Sequence, residues 1–319
     1  HGQPKEASFQ YREREWMTAD EYDEFIDDPT DFLTRRYIPR ICAGLSGFAK
    51  MGSALDPGLM AFGAGYFASW ADPELVASIE VALEAGRRAA AWYAQLGPAL
   101  DNLLGLGFPF YFAVSTQAPF DYLGDELRGT KEILLDMYRR PEKVKKACER
   151  LTALMTRWVL NKSNPDTQPC VFWPLHKGAE GFLSVDQFKE FYWPSLRNTA
   201  LALIDEGFIP VFFGEGAMGN RLEIIAGDLP KGRTVWILDR TDMAHAKGTL
   251  GRVAALQGNV PLSLLQLSTP EAVREYCRNL IEAAAPGGGF LLDSGAVLHQ
   301  CKAENVKAMV QAAHDFGVY

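Results

Sequence analysis

The chain has 319 residues, of which 48% are hydrophobic and 23% are charged, enough to bury one large core or the cores of two small domains. Its formal net charge is −8, which argues against nucleic acid or an anionic membrane as the main partner. The five cysteines are odd in number and form no C-x-x-C pair, which argues against a disulfide framework and favours a reducing, cytoplasmic location. No apolar stretch reaches the ~18 residues of a membrane span.

Helix signals dominate the first half of the chain. Capping and proline signals predict helices from Thr18 through Phe25, from Asp31 toward Phe48, from Asp72 to about Leu96, and over 126–138 and 141–160. Residues 51–69 are rich in glycine and predict irregular chain.

Short apolar, β-branched or aromatic runs predict strands at 109–114, 169–173, 209–213, 234–238, 253–257 and 289–293. Strands that alternate with helices pair in parallel, and no glycine-rich nucleotide fingerprint follows any of them. We therefore predict an α/β fold of the (β/α)8 TIM-barrel type, whose missing strands are expected before residue 1 or within 43–66. We predict one domain over 1–319, with 1–70 as a helical and irregular extension.

The loops that follow the strand ends form the active site of a parallel barrel. That rule selects His176, Lys177, Glu215, Asp239, Asp242, Gln257, Asn259, Asp293 and Ser294. The aromatic run 191–193 predicts packing between helix and barrel.

Three of the selected residues are candidates for chemistry. His176 can act as a general acid or base or as a metal ligand, or it is a loop histidine bonded to backbone. Glu215, between two glycines, can hold a metal or a proton, or it pairs with Arg221. Asp239 lies directly at a strand end, whereas Asp242 fits the N-cap of the next helix. His176, Glu215 and Asp239 are ligand types that zinc accepts, so a zinc site is one hypothesis.

Short motifs are spread over most of the chain. They are Ala118-Pro119-Phe120, Tyr138-Arg139-Arg140-Pro141-Glu142, Pro174-Leu175-His176-Lys177-Gly178-Ala179-Glu180-Gly181-Phe182, Gln187-Phe188, Phe191-Tyr192-Trp193-Pro194, Glu215-Gly216, Arg221-Leu222-Glu223, Asp242-Met243, Ala246-Lys247, Gly258-Asn259-Val260-Pro261 and Glu304-Asn305-Val306-Lys307-Ala308-Met309. Together they resemble the uroporphyrinogen decarboxylase superfamily. It includes the haem-pathway decarboxylase and methyltransferases that work with corrinoid proteins or coenzyme M, and it implies a (β/α)8 barrel.

Departures from the two better-known branches narrow what the resemblance implies. The decarboxylase has an arginine-rich substrate loop, which does not appear here, and its Gly-His-Gly histidine and its tyrosine match Gly295 and Asp125. The coenzyme M enzymes bind zinc through His-x-Cys and a later Cys, and that Cys also falls on Gly295. The resemblance therefore implies the branch associated with corrinoid-dependent demethylation of methyl ethers or methylamines.

We therefore predict a methyltransferase that moves a methyl group from a small methylated compound to a corrinoid on a partner protein. The corrinoid is the nucleophile, so the barrel needs none. His176 with Glu215 or Asp239 is expected to protonate the leaving group or to hold a zinc ion. The predicted substrate-binding residues are Lys177, Arg221, Gln257, Asn259 and Ser294.

Two alternatives stay open. The first is decarboxylation of a smaller carboxylate, which a cationic pocket of Arg221, Arg240 and Lys177 would support. The second is a non-catalytic barrel that acts as a subunit or ligand binder. The oligomeric state is open, and a homo-oligomer is compatible with the sequence.

Overall fold

A computed structural model describes residues 13–53, 64–107, 114–298 and 300–318. The chain divides into two compact units, His1–Phe110 with Leu123–Arg150, and Tyr111–Tyr122 with Leu151–Tyr319. The predicted organisation as one domain with 1–70 as an extension stays a prediction. None of the described helices combines the length and the apolar character of a membrane span.

The α-helices in chain order are α1 (Tyr22–Asp27), α2 (Pro29–Phe32), α3 (Ile38–Ile41), α4 (Ala64–Ser69), α5 (Pro73–Gly105), α6 (Pro119–Tyr122), α7 (Thr130–Arg139), α8 (Pro141–Lys162), α9 (Val185–Gln187), α10 (Trp193–Asp205), α11 (Leu222–Asp228), α12 (Met243–Gly248), α13 (Leu262–Leu267), α14 (Pro270–Ala284) and α15 (Ala303–Phe316). Wider π-helical turns cover Leu33–Tyr37, Leu123–Arg128 and Phe188–Tyr192, and the longest 3₁₀ helix is Ala43–Lys50.

Two of the predicted helices differ from those observed. The helix predicted from Asp31 toward Phe48 widens into a π-helical turn just before Pro39, which lacks the N–H of a regular helix, and it ends at Cys42, whose backbone is extended. Leu45 also has non-helical angles. Helix α5 starts at Pro73, capped by Asp72, but runs past the predicted end to Gly105 with Pro98 inside it. The region predicted to be irregular contains α4, and its residues 54–63 lie outside the described part of the chain.

A buried charge network organises the first unit. Arg128, 1% exposed, donates to Asp136 Oδ2 and to Glu15 Oε1 at 2.6 Å each, and also to the carbonyl of Met17. The hydroxyl of Tyr22 donates to Asp136 Oδ2 at 2.9 Å, and burial raises the pKa of Tyr22 well above its usual value. The network therefore joins the segment around residues 15–22 to Arg128 and to Asp136 of α7.

Replacing Arg128 by methionine is expected to lower the free energy of unfolding by about 3–5 kcal/mol, because the buried Asp136 loses its 2.6 Å partner and retains as its cation only the more exposed Arg140, at 3.3 Å. Denaturant unfolding followed by circular dichroism measures this change. Arg87→Met is the matched control, since Arg87 is exposed and makes only a long 3.9 Å contact with Glu84. A loss below about 1 kcal/mol for Arg128→Met would show that the network is not a stabilising unit.

The second unit is built on one parallel sheet. Its strands are β1 (Val114–Ser115), β2 (Cys170–Leu175), β3 (Ile209–Gly214), β4 (Val235–Leu238), β5 (Ala255–Val260) and β6 (Phe290–Ser294). They pair in parallel in sequential order, from β1 to β6, with helices between them. This order has no reversal of the kind found in doubly wound sheets, so the α/β fold of the TIM-barrel type is confirmed. Of the predicted strand 109–114, residues 109–113 lie outside the described residues.

The two faces of the sheet have different environments. On one face, Trp173, Phe212 and Trp236 are fully buried, and successive ring centroids lie 5.2 and 4.5 Å apart. On the other face, a buried cluster packs with partly buried neighbours. We call this second group the apolar floor; it comprises Val211, Phe213, Ile237, Cys170, Phe172, Val235 and Ala296. Because successive side chains of a strand point to opposite faces, bulky residues at every strand position explain both layers.

Candidate active site

Backbone hydrogen bonds hold the loops after neighbouring strands side by side. The N–H of Glu215 donates to the carbonyl of Leu175 at 3.2 Å, and the N–H of Arg240 to that of Gly216 at 3.1 Å. At the other end, the N–H of Gly295 donates to the carbonyl of Val260 at 2.9 Å. The carboxyl ends of β2 to β6 therefore form one continuous edge. We call its polar residues the strand-end ring; they are His176, Glu215, Asp239, Asn259, Asp293 and Ser294.

His176 and Glu215 face each other from adjacent strand ends. His176 Nε2 lies 3.8 Å from Glu215 Oε1, and the two side chains are 35% and 47% exposed. This separation is too long for a direct hydrogen bond, and it places a histidine, a side chain suited to proton transfer near neutral pH, beside a carboxylate. The pair can therefore deliver a proton to a ligand at the strand ends, as the sequence predicted for His176.

Asp121 is a site residue that the sequence prediction missed. Its side chain, on α6, is fully buried, and it accepts hydrogen bonds from the backbone N–H groups of His176 at 3.0 Å and Lys177 at 2.8 Å. The hydroxyl of Tyr192 donates to the same carboxylate at 2.6 Å. The available signal was its position, directly after the Ala118-Pro119-Phe120 motif that follows β1. Asp121 thus determines where the backbone of His176 lies.

The sequence predicts that Tyr192 packs between helix and barrel; it does pack, and it also hydrogen-bonds to Asp121. Its ring stacks on Phe188 at 5.5 Å and contacts Phe120 at 5.8 Å between centroids. A Cβ at Gly178 would lie 2.6 Å from the tyrosine ring, so only glycine permits this approach. The glycine after His176-Lys177 is therefore required for the phenol to reach Asp121.

Asp239 is held differently from His176 and Glu215. Its Oδ2 accepts from the N–H of Gly216 at 3.1 Å and lies 3.6 Å from Nε of Arg240, whose side chain is 81% exposed. Asp242 accepts from the N–H of His245 at 2.7 Å, so its predicted role as the N-cap of α12 is confirmed. Among the described residues, no three His, Cys, Asp or Glu side chains are arranged to hold a metal ion. The predicted zinc set of His176, Glu215 and Asp239 is therefore not assembled here.

Arg221 contributes to the architecture of one loop. It is 1% exposed and donates to the backbone carbonyls of Gly178, Ala179 and Leu183, and also to Asn220. Burial lowers the pKa of its guanidinium. These donors are not available to a substrate, and they replace the ion pair with Glu215 that was considered as an alternative. Of its two partners in the proposed cationic pocket, Lys177 is buried and Arg240 is largely exposed.

The remaining predicted binding residues lie on β5 and β6. Gln257 Nε2 donates to Asp293 Oδ2 at 2.6 Å. Asn259 Nδ2 donates to the carbonyls of Asp239 at 2.9 Å and Thr241 at 2.7 Å. Ser294 Oγ donates to the carbonyl of Ala296 at 2.8 Å, which shapes the loop after β6.

A cleft of about 600 Å³ opens at this end of the ring. Its lining includes Asp239, Arg240, Asn259, Tyr276 and Ala296. Ala296 also packs on the apolar floor, so the cleft and the floor are contiguous. Burial is the main cause that raises the pKa of the Tyr276 phenol, so the phenol stays protonated at neutral pH.

A sequence profile of the uroporphyrinogen decarboxylase family (URO-D) matches residues 111–316, which include the sheet and the whole strand-end ring. The chain belongs to this family. The resemblance that the motifs indicated is thereby confirmed, and residues 1–110 lie outside the match.

Curated members of the family are distant from this chain. The uroporphyrinogen decarboxylase of Cellvibrio japonicus is 27% identical over 195 residues, which cover 60% of this chain and 52% of that protein. The uroporphyrinogen decarboxylase of Anaeromyxobacter dehalogenans is 32% identical over 139 residues, 43% of this chain and 38% of that protein. The chain thus spans about half the length of the curated relatives it matches.

A solved structure described as a methyltransferase from Methanosarcina mazei has a similar fold. The TM-score is 0.51 at 16% identity, over 64% of this chain and 58% of that one. At this identity the likeness shows the fold alone. Proteins named decarboxylase and methyltransferase therefore share this fold, and the fold does not determine the reaction.

Proposed function

We propose that this protein is a methyltransferase that transfers a methyl group from a small methylated compound to a corrinoid carried by a partner protein. The observation that carries the proposal is the His176–Glu215 pair at the strand ends, with Nε2 and Oε1 3.8 Å apart. The pair is suited to supply a proton, and Arg221 is not available to a substrate carboxylate, because it is bonded to backbone carbonyls.

Methyl transfer from an ether or an amine breaks the bond between the methyl carbon and oxygen or nitrogen, and the heteroatom keeps the electron pair. An alkoxide or phenoxide is a poor leaving group unless a proton reaches it. His176 can donate that proton, and the carboxylate of Glu215 lies 3.8 Å from its Nε2. The corrinoid is here a second substrate that supplies the nucleophile, so the chain's own task is to orient the methyl donor and to protonate the leaving group.

Zinc has no part in this proposal. His176, Glu215 and Asp239 do not form a metal-binding group in the described residues, so the donor set does not fit the ion. The proton route needs only His176 and its neighbour.

Decarboxylation is the second candidate, because the curated relatives bear the name uroporphyrinogen decarboxylase. A substrate with several carboxylates requires several cations in the site. Asp239 and Asp242 face the cleft together with one arginine, Arg240, and that arginine is largely exposed. This balance of charges favours the methyl transfer proposal over decarboxylation.

The test mixes the purified protein, a corrinoid protein reduced to Co(I), and either a methoxyaromatic compound or a methylamine. The expected result is formation of methyl-cobalt, followed by its visible absorption spectrum, at a rate proportional to the concentration of this protein. A parallel sample with uroporphyrinogen is assayed for released CO₂. Release of CO₂ without any methyl-cobalt would replace the proposal by the decarboxylase candidate.

A further inference from the structure

Two amide side chains near the end of β5, Gln257 and Asn259, have oxygens that accept from no described residue. Gln257 is 8% exposed, and its Oε1 is a buried atom with no hydrogen-bond partner. Its Nε2 is fixed by the carboxylate of Asp293 at 2.6 Å, and the flipped amide would set two oxygens against each other. The orphan atom is therefore the carbonyl oxygen, and it needs a donor from a ligand or from water.

Asn259, two residues farther along β5, has the same character. It is 7% exposed and lines the cleft. Both hydrogens of its amide are used by the carbonyls of Asp239 and Thr241, at 2.9 and 2.7 Å, so its orientation is also determined. Its Oδ1 accepts from no described residue and remains as a second acceptor for a ligand.

Carboxylates flank these two amide oxygens. Asp239 uses Oδ2 for the N–H of Gly216, which leaves Oδ1 on the other side. A Cβ at Gly295 would lie 3.3 Å from that Oδ1, so the glycine keeps the approach to it open. Asp293 adds a second carboxylate beside Gln257. Because Gly295 has no side chain, a ligand can approach the Oδ1 atom of Asp239.

An apolar surface adjoins the acceptors. Gln257 pairs in register with Ile237 of the apolar floor and with Leu291. In the floor, the rings of Phe172 and Phe213 stack with centroids 6.4 Å apart. A ligand whose polar end meets the acceptors therefore has an aromatic surface for its body.

We propose that the ends of β4, β5 and β6, where Asn259 joins the cleft to Gln257 and the apolar floor, bind the ammonium group of a small amine with an apolar, ring-sized body, and that such cationic amines are the substrate class. The inference rests on the proposed function for its claim about the substrate. An ammonium group carries several N–H donors and a positive charge, and matches two amide oxygens flanked by Asp239 and Asp293. A carboxylate brings only acceptors and the same charge as Asp239, Asp242 and Asp293, and the cleft lining holds a single arginine, Arg240, so we expect a carboxylate to bind more weakly.

The test compares three ligands that differ in one substituent. They are 4-hydroxy-3-methoxybenzylamine, 4-hydroxy-3-methoxybenzyl alcohol and 4-hydroxy-3-methoxybenzoate, each titrated calorimetrically into the whole chain at pH 7 without corrinoid protein. We expect the amine to bind roughly 10- to 100-fold more tightly than the benzoate, with the alcohol between them. Added salt should narrow the difference.

Two variants assign the effect to the cleft. Gln257→Met keeps the length of the side chain but removes the orphan acceptor, and it should weaken amine binding several-fold with little change for the benzoate. Gly295→Val should weaken the amine because it covers Asp239 Oδ1. Gly227→Ala is the matched glycine control, since a Cβ there meets nothing within 4 Å. Circular dichroism and the unfolding midpoint identify any variant that has lost its fold. If Gln257→Met or Gly295→Val is lost in this way, Asp239→Asn, which keeps the shape of the side chain, replaces it in the binding assay.

The outcomes separate this inference from the proposed function. Equal or tighter binding of the benzoate, or amine binding that neither Gln257→Met nor Asp239→Asn weakens, would overturn the inference. Selective amine binding without methyl transfer from any donor would contradict the proposed function but support the ammonium site. Methyl transfer from neutral or anionic donors alone would overturn the inference about amines and support the proposed function.

Discussion

His176→Ala is expected to lower the rate of methyl transfer about 10²- to 10⁴-fold, the usual range for loss of a general acid. The effect should be largest for methyl ethers, whose leaving oxygen needs the proton most. Glu215→Gln should have a smaller effect in the same direction, because it removes only the carboxylate 3.8 Å from Nε2 and not the proton donor. The measurement is the initial rate of methyl-cobalt formation under excess corrinoid protein.

The control for this prediction is His245→Ala. His245 lies on α12 with an exposed side chain, and its backbone N–H, which caps the helix on Asp242, is unchanged by the substitution. We expect this variant to keep the rate of the unaltered protein. If His176→Ala also kept that rate, His176 would be a structural loop residue, and the acid would have to be sought elsewhere in the strand-end ring.

Asp121→Ala is expected to cost about 3–5 kcal/mol of unfolding free energy, because it leaves buried donors without their acceptor. The donors are the N–H groups of His176 and Lys177 and the hydroxyl of Tyr192. The methyl transfer rate should fall as well, since the backbone of His176 loses its anchor. Denaturant unfolding measures the first effect, and the methyl-cobalt assay measures the second.

Graded variants separate the contributions at Asp121. Tyr192→Phe removes only the hydroxyl donor and should cost about 1 kcal/mol. Asp121→Asn keeps the shape but turns an amide N–H₂ toward a donor, so its cost should fall between the two. Asp205→Ala, at the exposed end of α10, is the control and should be close to neutral. A loss for Asp121→Ala no larger than that for Tyr192→Phe would contradict the role assigned to the carboxylate.

Local rules were sufficient for much of the fold. Apolar runs such as 209–213 allow few structures other than a buried strand, and five of the predicted strands match the observed ones within a few residues. Cap and proline signals placed the starts of α5 and α14, because they act through the chain's own first turn. Helix ends were less predictable. Helix α5 continues past Leu96, because Gly97 and Pro98 disfavour a helix without forbidding it.

The site was only partly accessible from the sequence. The rule that strand ends carry the reactive residues selected His176, Glu215 and Asp239, and the structure places them along one edge. The rule does not predict that Arg221 donates to carbonyl groups of the 178–183 loop, because that loop is more than 35 residues away along the chain. The bonding partners of Asp121 are not predictable from the sequence for the same reason, since these donors lie 55 to 71 positions away along the chain.

The sequence by itself determined the parallel α/β character of this protein, its membership in a family and the edge at which its chemistry lies. These properties follow from periodicity, helix caps and strand ends, which depend on residues close together in the chain and can therefore be predicted from the sequence. Only the tertiary structure decided which polar groups are consumed and which are left over. The Oε1 atom of Gln257 has no hydrogen-bond donor, and the Oδ1 atom of Asp239 is open beside Gly295. Both follow from which neighbours the fold brings to a side chain, and the sequence does not show this.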